Sequence, residues 1–131
     1  MKPEELRIGN YATDSNFEFT VYGIDPIYIE AKIDSSNNIY SLNYENIEPI
    51  PLTEQWLIDL GLESRLVQPD MYYEYSIRNG FEIYCYMDAS GNCLFWVEGP
   101  DADCFIVKCD KVHEFQNIYF SLTGKELNKT T

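Results

Sequence analysis

The side chains best suited to chemistry in this chain are four cysteines, a single histidine and two closely spaced aspartates. Cys85, Cys93, Cys104 and Cys109 are separated by 8, 11 and 5 positions. None forms the C-x-x-C pair that builds most structural zinc knuckles. All four lie in apolar, strand-like runs, the usual setting of buried thiols. An even count allows two disulfides, but nothing in the chain points to export, so the thiols are expected to be reduced. His113 is the only histidine, which removes any pair of imidazoles and leaves a cysteine–histidine nucleophile as an arithmetic possibility. Its place beside Val112 and Phe115 puts it instead on the flank of an amphipathic helix, partly solvated. Asp101 and Asp103 straddle Ala102, a spacing that suits a hard cation. Following Gly99-Pro100, they read more simply as a solvated turn. Asp88-Ala89-Ser90-Gly91-Asn92 lacks the ligand ladder and distal glutamate of an EF-hand loop. No glycine-rich phosphate loop, H-E-x-x-H or G-x-S-x-G sequence occurs. The sequence therefore assigns no catalytic, cofactor or metal residue, and predicts a protein that is not an enzyme.

The elements that must position these residues are short. Residues 7–12, 17–22, 27–33 and 39–44 read as strands. In the second, Phe17, Phe19 and Val21 alternate with Glu18, Thr20 and Tyr22; in the third, Ile27, Ile29, Ala31 and Ile33 alternate with Tyr28, Glu30 and Lys32. Period two with one polar face marks half-buried antiparallel strands. Strands this short, packed into residues 7–44, suit a strongly bent, barrel-like sheet. Two prolines in Glu48-Pro49-Ile50-Pro51-Leu52 exclude helix there. Thr53 is then the predicted N-cap of a helix over 53–60 stopped by Gly61, with Leu52 and Leu57 as its hydrophobic staple.

The second half predicts an antiparallel sheet over 71–109 and a helix over 111–123, packed on that sheet and ended by Gly124. Met71, Tyr73, Tyr75 and Ile77 alternate with polar residues, as do Phe81, Ile83, Cys85 and Met87. A three-residue loop at Arg78-Asn79-Gly80 keeps apolar residues opposite apolar ones, with Gly80 left-handed, Tyr72 facing Tyr86 and Glu74 facing Tyr84. A four-residue loop over 88–91 would next pair Cys85 with Leu94 and Tyr84 with Phe95. The tail from Lys125 is polar and expected to fray. The whole reads as one α+β domain over 1–131: a strongly twisted, mainly antiparallel sheet system with two short helices.

Charge narrows the classes of partner. The chain of 131 residues carries 22 acidic and 9 basic side chains, a formal net charge of −13. Between positions 14 and 63 ten acids face one base, Lys32; from 79 to 103 there are five acids and no base. Proteins that grip phosphate backbones draw their affinity from clustered Lys and Arg, so direct nucleic-acid binding is not expected, nor is docking on an anionic membrane. No run approaches the ~18 apolar residues of a transmembrane helix, and Met1-Lys2-Pro3-Glu4-Glu5 does not open a signal peptide. A cytoplasmic protein is the expectation. Such a field attracts basic protein surfaces. Eleven tyrosines add interface anchors that bury area at little entropic cost. The candidate partner-binding residues on the C-terminal sheet and its loops are Tyr72, Glu74, Glu82, Tyr84, Tyr86, Phe95, Asp101 and Asp103.

Three collinear segments carry a resemblance. Leu6-Arg7-Ile8-Gly9-Asn10-Tyr11, Ile47-Glu48-Pro49-Ile50-Pro51-Leu52-Thr53-Glu54-Gln55-Trp56-Leu57 and Val112-His113-Glu114-Phe115-Gln116-Asn117-Ile118-Tyr119-Phe120-Ser121-Leu122-Thr123-Gly124 resemble small uncharacterised proteins of Bacteroidetes phages, prophages and mobile elements. The resemblance implies a bacterial host cytosol and a phage or mobile-element setting; it transfers no activity and no functional residue. Charge and setting together predict a non-enzymatic protein that binds a basic host or phage protein. Its target would be a nucleic-acid-handling protein, as for a defence-system inhibitor such as an anti-CRISPR protein. Two other readings stay open. One is a nucleic-acid module using exposed aromatics, which would need a patch among Lys32, Arg65, Arg78, Lys108 and Lys111. The other is a phage structural or assembly component.

Overall fold

A computed structural model describes residues 1–33, 38–67, 72–78, 82–87, 93–98 and 104–130. The class is α+β, with two antiparallel sheets and two helices. Spatial proximity along the chain divides it into two compact units. The first comprises Met1–Pro51 with Lys111–Asn117, the second Leu52–Asp110 with Ile118–Thr131.

The first unit holds a four-stranded meander of β1 (Tyr11–Thr13), β2 (Glu18–Ile24), β3 (Tyr28–Lys32) and β4 (Ile39–Asn43), in that spatial order. Alternation does what the sequence demands: Phe19, Val21, Ile29 and Ala31 are buried with Leu6, Ala12, Tyr44 and Ile47 in one cluster. Glu18, Tyr22, Tyr28 and Glu30 lie exposed between them. The strand expected over 7–12 begins only at Tyr11. Arg7 to Asn10 instead form a turn, in which the Asn10 N–H donates to the Arg7 carbonyl (3.1 Å) and Gly9 takes φ 99°. A register shift between Val21 and Gly23 bulges β2, where a glycine suits the irregular backbone. The sheet is open rather than barrel-like: β1 and β4 are its two ends, and among the described residues no pair joins them.

The second unit holds α1 (Glu54–Asp59) and a five-stranded antiparallel sheet. Its strands are β5 (Glu63–Val67), β6 (Tyr72–Arg78), β7 (Glu82–Met87), β8 (Cys93–Glu98) and β9 (Cys104–Cys109), again in sequential order. Thr53 caps α1 by accepting the Trp56 N–H at 3.2 Å, and both staple residues, Leu52 and Leu57, are buried. Gly61 stops the helix with φ 95°, and the Leu62 N–H closes back on the Leu57 carbonyl at 3.0 Å. The tail does not fray. Leu127 is buried, the Lys129 ammonium lies 4.3 Å from the centre of the Trp56 ring, and the Thr130 N–H donates to the Asp59 carbonyl at 2.9 Å. The polar composition of the tail hid this, because one leucine and one cation–π contact suffice to dock it.

The register of the second sheet departs from the sequence reading in two places. On β6 and β7 the pairs are Ile77 with Ile83 and Tyr75 with Cys85, two residues along from the expected pairing. Glu74 thus faces Tyr86 and Ser76 faces Tyr84, not Tyr72 with Tyr86 and Glu74 with Tyr84. A slide of two keeps every residue on its own face, so hydrophobic parity cannot detect it. The expected left-handed Gly80 lies outside the described residues. On β7 and β8, Cys85 pairs with Phe95 and Tyr84 with Trp96, one residue from the expected register. Either phase of Cys93-Leu94-Phe95-Trp96-Val97 is apolar; only Glu98, which falls opposite Glu82, marks the polar row. The strand β5 has no clear alternation of its own and is defined by pairing with β6.

The last helix, α2 (Val112–Thr123), contributes its first half to the first unit and its second half to the second. Gly124 ends it with φ 72°, its N–H donating to the Phe120 carbonyl at 2.8 Å.

Candidate functional site

The acidic and aromatic residues singled out on the second sheet fall into cross-strand rows. One row runs Arg65, Glu74, Tyr86, Leu94, Lys108; the next runs Glu63, Ser76, Tyr84, Trp96, Ile106; a third runs Arg78, Glu82, Glu98, Cys104. Tyr72 stands opposite Val67. Glu74, Glu82, Tyr84 and Tyr86 therefore occupy neighbouring rows of one alternation. Phe95 does not join them: it pairs with Cys85 and Val107, in the alternation whose members Ile83, Cys85 and Cys109 are buried. The one-residue register change puts Trp96 beside Tyr84 in its place. Asp101 and Asp103 lie outside the described residues. Cys85 and Cys109 are buried thiols, and the register sets Cys93 opposite Cys109.

These rows also decide how basic residues are distributed. Arg65 stands opposite Glu74 and Arg78 opposite Glu82, so each guanidinium-bearing position faces an acid. Arg65 and Lys108 end the same row on opposite edges of the sheet, four strand spacings or about 19 Å apart. Lys111 belongs to the other unit. The described basic residues of this sheet form no continuous track.

The first unit carries a surface that sequence reasoning passed over. The β2–β3 hairpin tip exposes Tyr22, Ile24, Ile27 and Tyr28, with Ile27 at 74% of its full accessibility. At the other end of the sheet, opposite Lys32 and Ala31, β4 leaves Ile39 and Tyr40 each nearly half exposed. Asp25 shapes the tip by accepting the Ile27 N–H at 3.2 Å, and its carbonyl receives the Tyr44 hydroxyl at 2.7 Å. Burial, with the Asp25 charge as a smaller contribution, raises the Tyr44 phenol above its ordinary value. The turn joining β1 to β2 is fixed by Asp14, whose carboxylate accepts the Phe17 and Asn16 N–H groups at 2.8 and 2.9 Å. Those bonds, Phe17 first, hold it below the ordinary carboxylate value. Asp14, Glu18, Asp25, Glu30, Glu45 and Glu48 surround the exposed residues in sequence, against Lys32 alone. The available signal was tyrosine in the polar phase of β2 and β3.

The buried polar residues of this unit are structural. Gln116 Oε1 accepts the Tyr11 N–H at 2.8 Å, while its Nε2 donates to the Gly9 carbonyl at 3.0 Å. Asn10 Oδ1 accepts the Arg7 N–H at 2.7 Å, and Asn10 Nδ2 donates to Asn117 Oδ1 at 2.9 Å. Asn117 Nδ2 donates in turn to the Glu5 carbonyl at 3.2 Å. The first half of α2 is thus held by the N-terminal segment, a contact that the sequence did not suggest. His113 is buried, not half solvated, and among the described residues its Nδ1 has no hydrogen-bond partner. Burial lowers its pKa, with Glu114 and Glu5 opposing. Among the described residues no group of three His, Cys, Asp or Glu could hold a metal ion, and no helix is long and apolar enough to cross a membrane.

No protein-family model, curated protein or solved structure matches the chain.

Proposed function

We propose that the chain is a non-enzymatic, acidic interaction protein of phage or mobile-element type that binds and blocks a basic, nucleic-acid-handling host protein, in the manner of an anti-CRISPR or other defence-system inhibitor. The observation that carries this reading is the exposed aromatic and aliphatic tip of the β2–β3 hairpin in the first unit, set in a segment where acids outnumber bases so heavily. An acidic field speeds capture of a basic surface, and desolvated tyrosines and isoleucines then hold it. The described arginines of the second sheet, each opposite a glutamate, weigh against the nucleic-acid module.

Two measurements test the proposal. Affinity capture from a lysate of the native host should return a basic nucleic-acid-binding protein. Its association should slow more than its dissociation quickens when Glu18 and Glu30 are changed together to Gln. A fluorescence-polarisation panel of single- and double-stranded DNA and RNA at about 150 mM salt should stay silent. Dissociation constants below about 1 μM in that panel would overturn the reading and favour direct nucleic-acid binding.

A further inference from the structure

The two edges of the first sheet are treated differently. At the β1 edge, a strand of three residues is closed by reciprocal bonds: the Thr13 N–H donates to the Glu48 carbonyl at 3.1 Å, and the Glu48 N–H donates to the Thr13 carbonyl at 2.7 Å. At the β4 edge, Ile39-Tyr40-Ser41-Leu42-Asn43 pairs with β3 on one side, and among the described residues no strand pairs with it on the other. Four of its five residues are exposed, Leu42 being the exception. Sheet edges are normally blunted by a lysine, a proline, a bulge or extreme shortness, because a row of outward N–H and C=O groups templates a further strand. β4 has no charged residue and no proline, its pairing with β3 is continuous over five residues, and it spans about 17 Å.

We infer that β4 is the docking edge, and that its occupant is an extended, basic segment of the partner protein, added to the sheet as a fifth antiparallel or parallel strand. This rests on the basic-partner reading above and names where and how that partner is held. Alternate residues of β4 offer both backbone groups outward, which supplies affinity without regard to side chain. Side-chain selection comes from what flanks the edge. Glu45, exposed in the turn of Tyr44–Asn46 that follows the strand, and the ten acids that face Lys32 alone between positions 14 and 63 set an acidic field for the lysines or arginines of an incoming strand. Ile39 and Tyr40 offer apolar contact to its alternate side chains. The same charge disfavours a second copy of the chain as occupant, since pairing two copies would bring together bodies that each carry −13.

The test uses the full chain and three seven-residue peptides: alternating lysine and valine, alternating lysine and proline, and alternating glutamate and valine. Binding is read by fluorescence polarisation at low salt, and the site by amide hydrogen exchange. The lysine–valine peptide is expected to bind at least about tenfold more tightly than the lysine–proline peptide, which has equal charge but loses every second N–H and is fixed by its prolines at a φ of about −65°, away from regular strand geometry. It should also slow exchange within residues 39–43. Equal binding of both lysine peptides without protection of 39–43 overturns the docking edge and leaves the basic-partner reading standing. Failure of both lysine peptides to bind overturns that reading and this one together. Equal binding of the glutamate–valine peptide overturns the basic character of the occupant. Dimerisation of the chain by sedimentation, with 39–43 protected in the absence of peptide, assigns the edge to a second copy and overturns the heterologous occupant.

Discussion

In the first sheet Phe19, Val21, Ile29 and Ala31 are buried while Glu18, Tyr22, Tyr28 and Glu30 are exposed, whereas in the second sheet aromatic or aliphatic residues occupy both sets of alternate rows. The first unit adds a directional polar lock, in which Gln116, Asn10 and Asn117 join the first half of α2 to residues 5–11. The second unit relies on apolar burial at Leu52, Leu57, Leu60 and Leu62 and on well-formed helix ends. Where one phase of a strand is polar, the pattern alone selects its face; where both phases are apolar, the neighbouring strand must select it.

The largest expected effect sharpens the apolar side of this contrast. Leu57 is fully buried, so Leu57→Ala should cost about 3 kcal/mol, while the volume-conserving Leu57→Met should cost under about 1.5 kcal/mol. Both tryptophans, Trp56 and Trp96, belong to the second unit, so urea unfolding followed by their fluorescence reads this unit selectively. Gln116→Leu tests the polar lock. It strands the Tyr11 N–H and the Gly9 carbonyl, and should cost about 2–3 kcal/mol despite adding an apolar side chain. Amide exchange of residues 9–12 should accelerate accordingly; a loss below about 0.5 kcal/mol would erase the distinction between the units.

Smaller effects probe the ends of α1. Gly61→Ala forces an L-residue to φ 95° and sets its Cβ 2.8 Å from Thr130 Cγ2, which should lower stability by about 1–2 kcal/mol. Thr53→Ala removes the acceptor of the Trp56 N–H and should cost about 1 kcal/mol, read by the same fluorescence transition. The smallest effect is the pH dependence of His113. Burial lowers its pKa in the folded state, so the unfolded chain takes up the proton first. Stability from this residue is complete above the ordinary value of 6.5 and declines as pH falls from there toward the lowered folded value. Urea midpoints measured between about pH 7 and pH 5 should fall less in His113→Asn than in the parent chain.

Parts of three distant stretches, 6–11, 47–51 and 112–117, meet in the first unit. The Gly9 carbonyl and Tyr11 N–H bind Gln116, and the Ile50 carbonyl accepts the Val112 N–H at 2.9 Å.

Alternation and charge are local properties, and both were legible. The buried phases of β2 and β3, the Thr53 cap, the Leu52–Leu57 staple and the glycine stops after both helices follow from a few adjacent residues each. The acidic imbalance needs only counting. The register of β6, β7 and β8 was not legible, because a two-residue slide preserves every face and an apolar run such as Cys93 to Val97 has no phase of its own. Nor could any local pattern reveal that Gln116 answers Tyr11 across more than a hundred residues, that the tail docks on Trp56, or that one edge of the first sheet is closed by Glu48 while no strand among the described residues pairs with the outer side of β4. Those outcomes depend on which distant backbone groups find partners, and only the tertiary structure decides that.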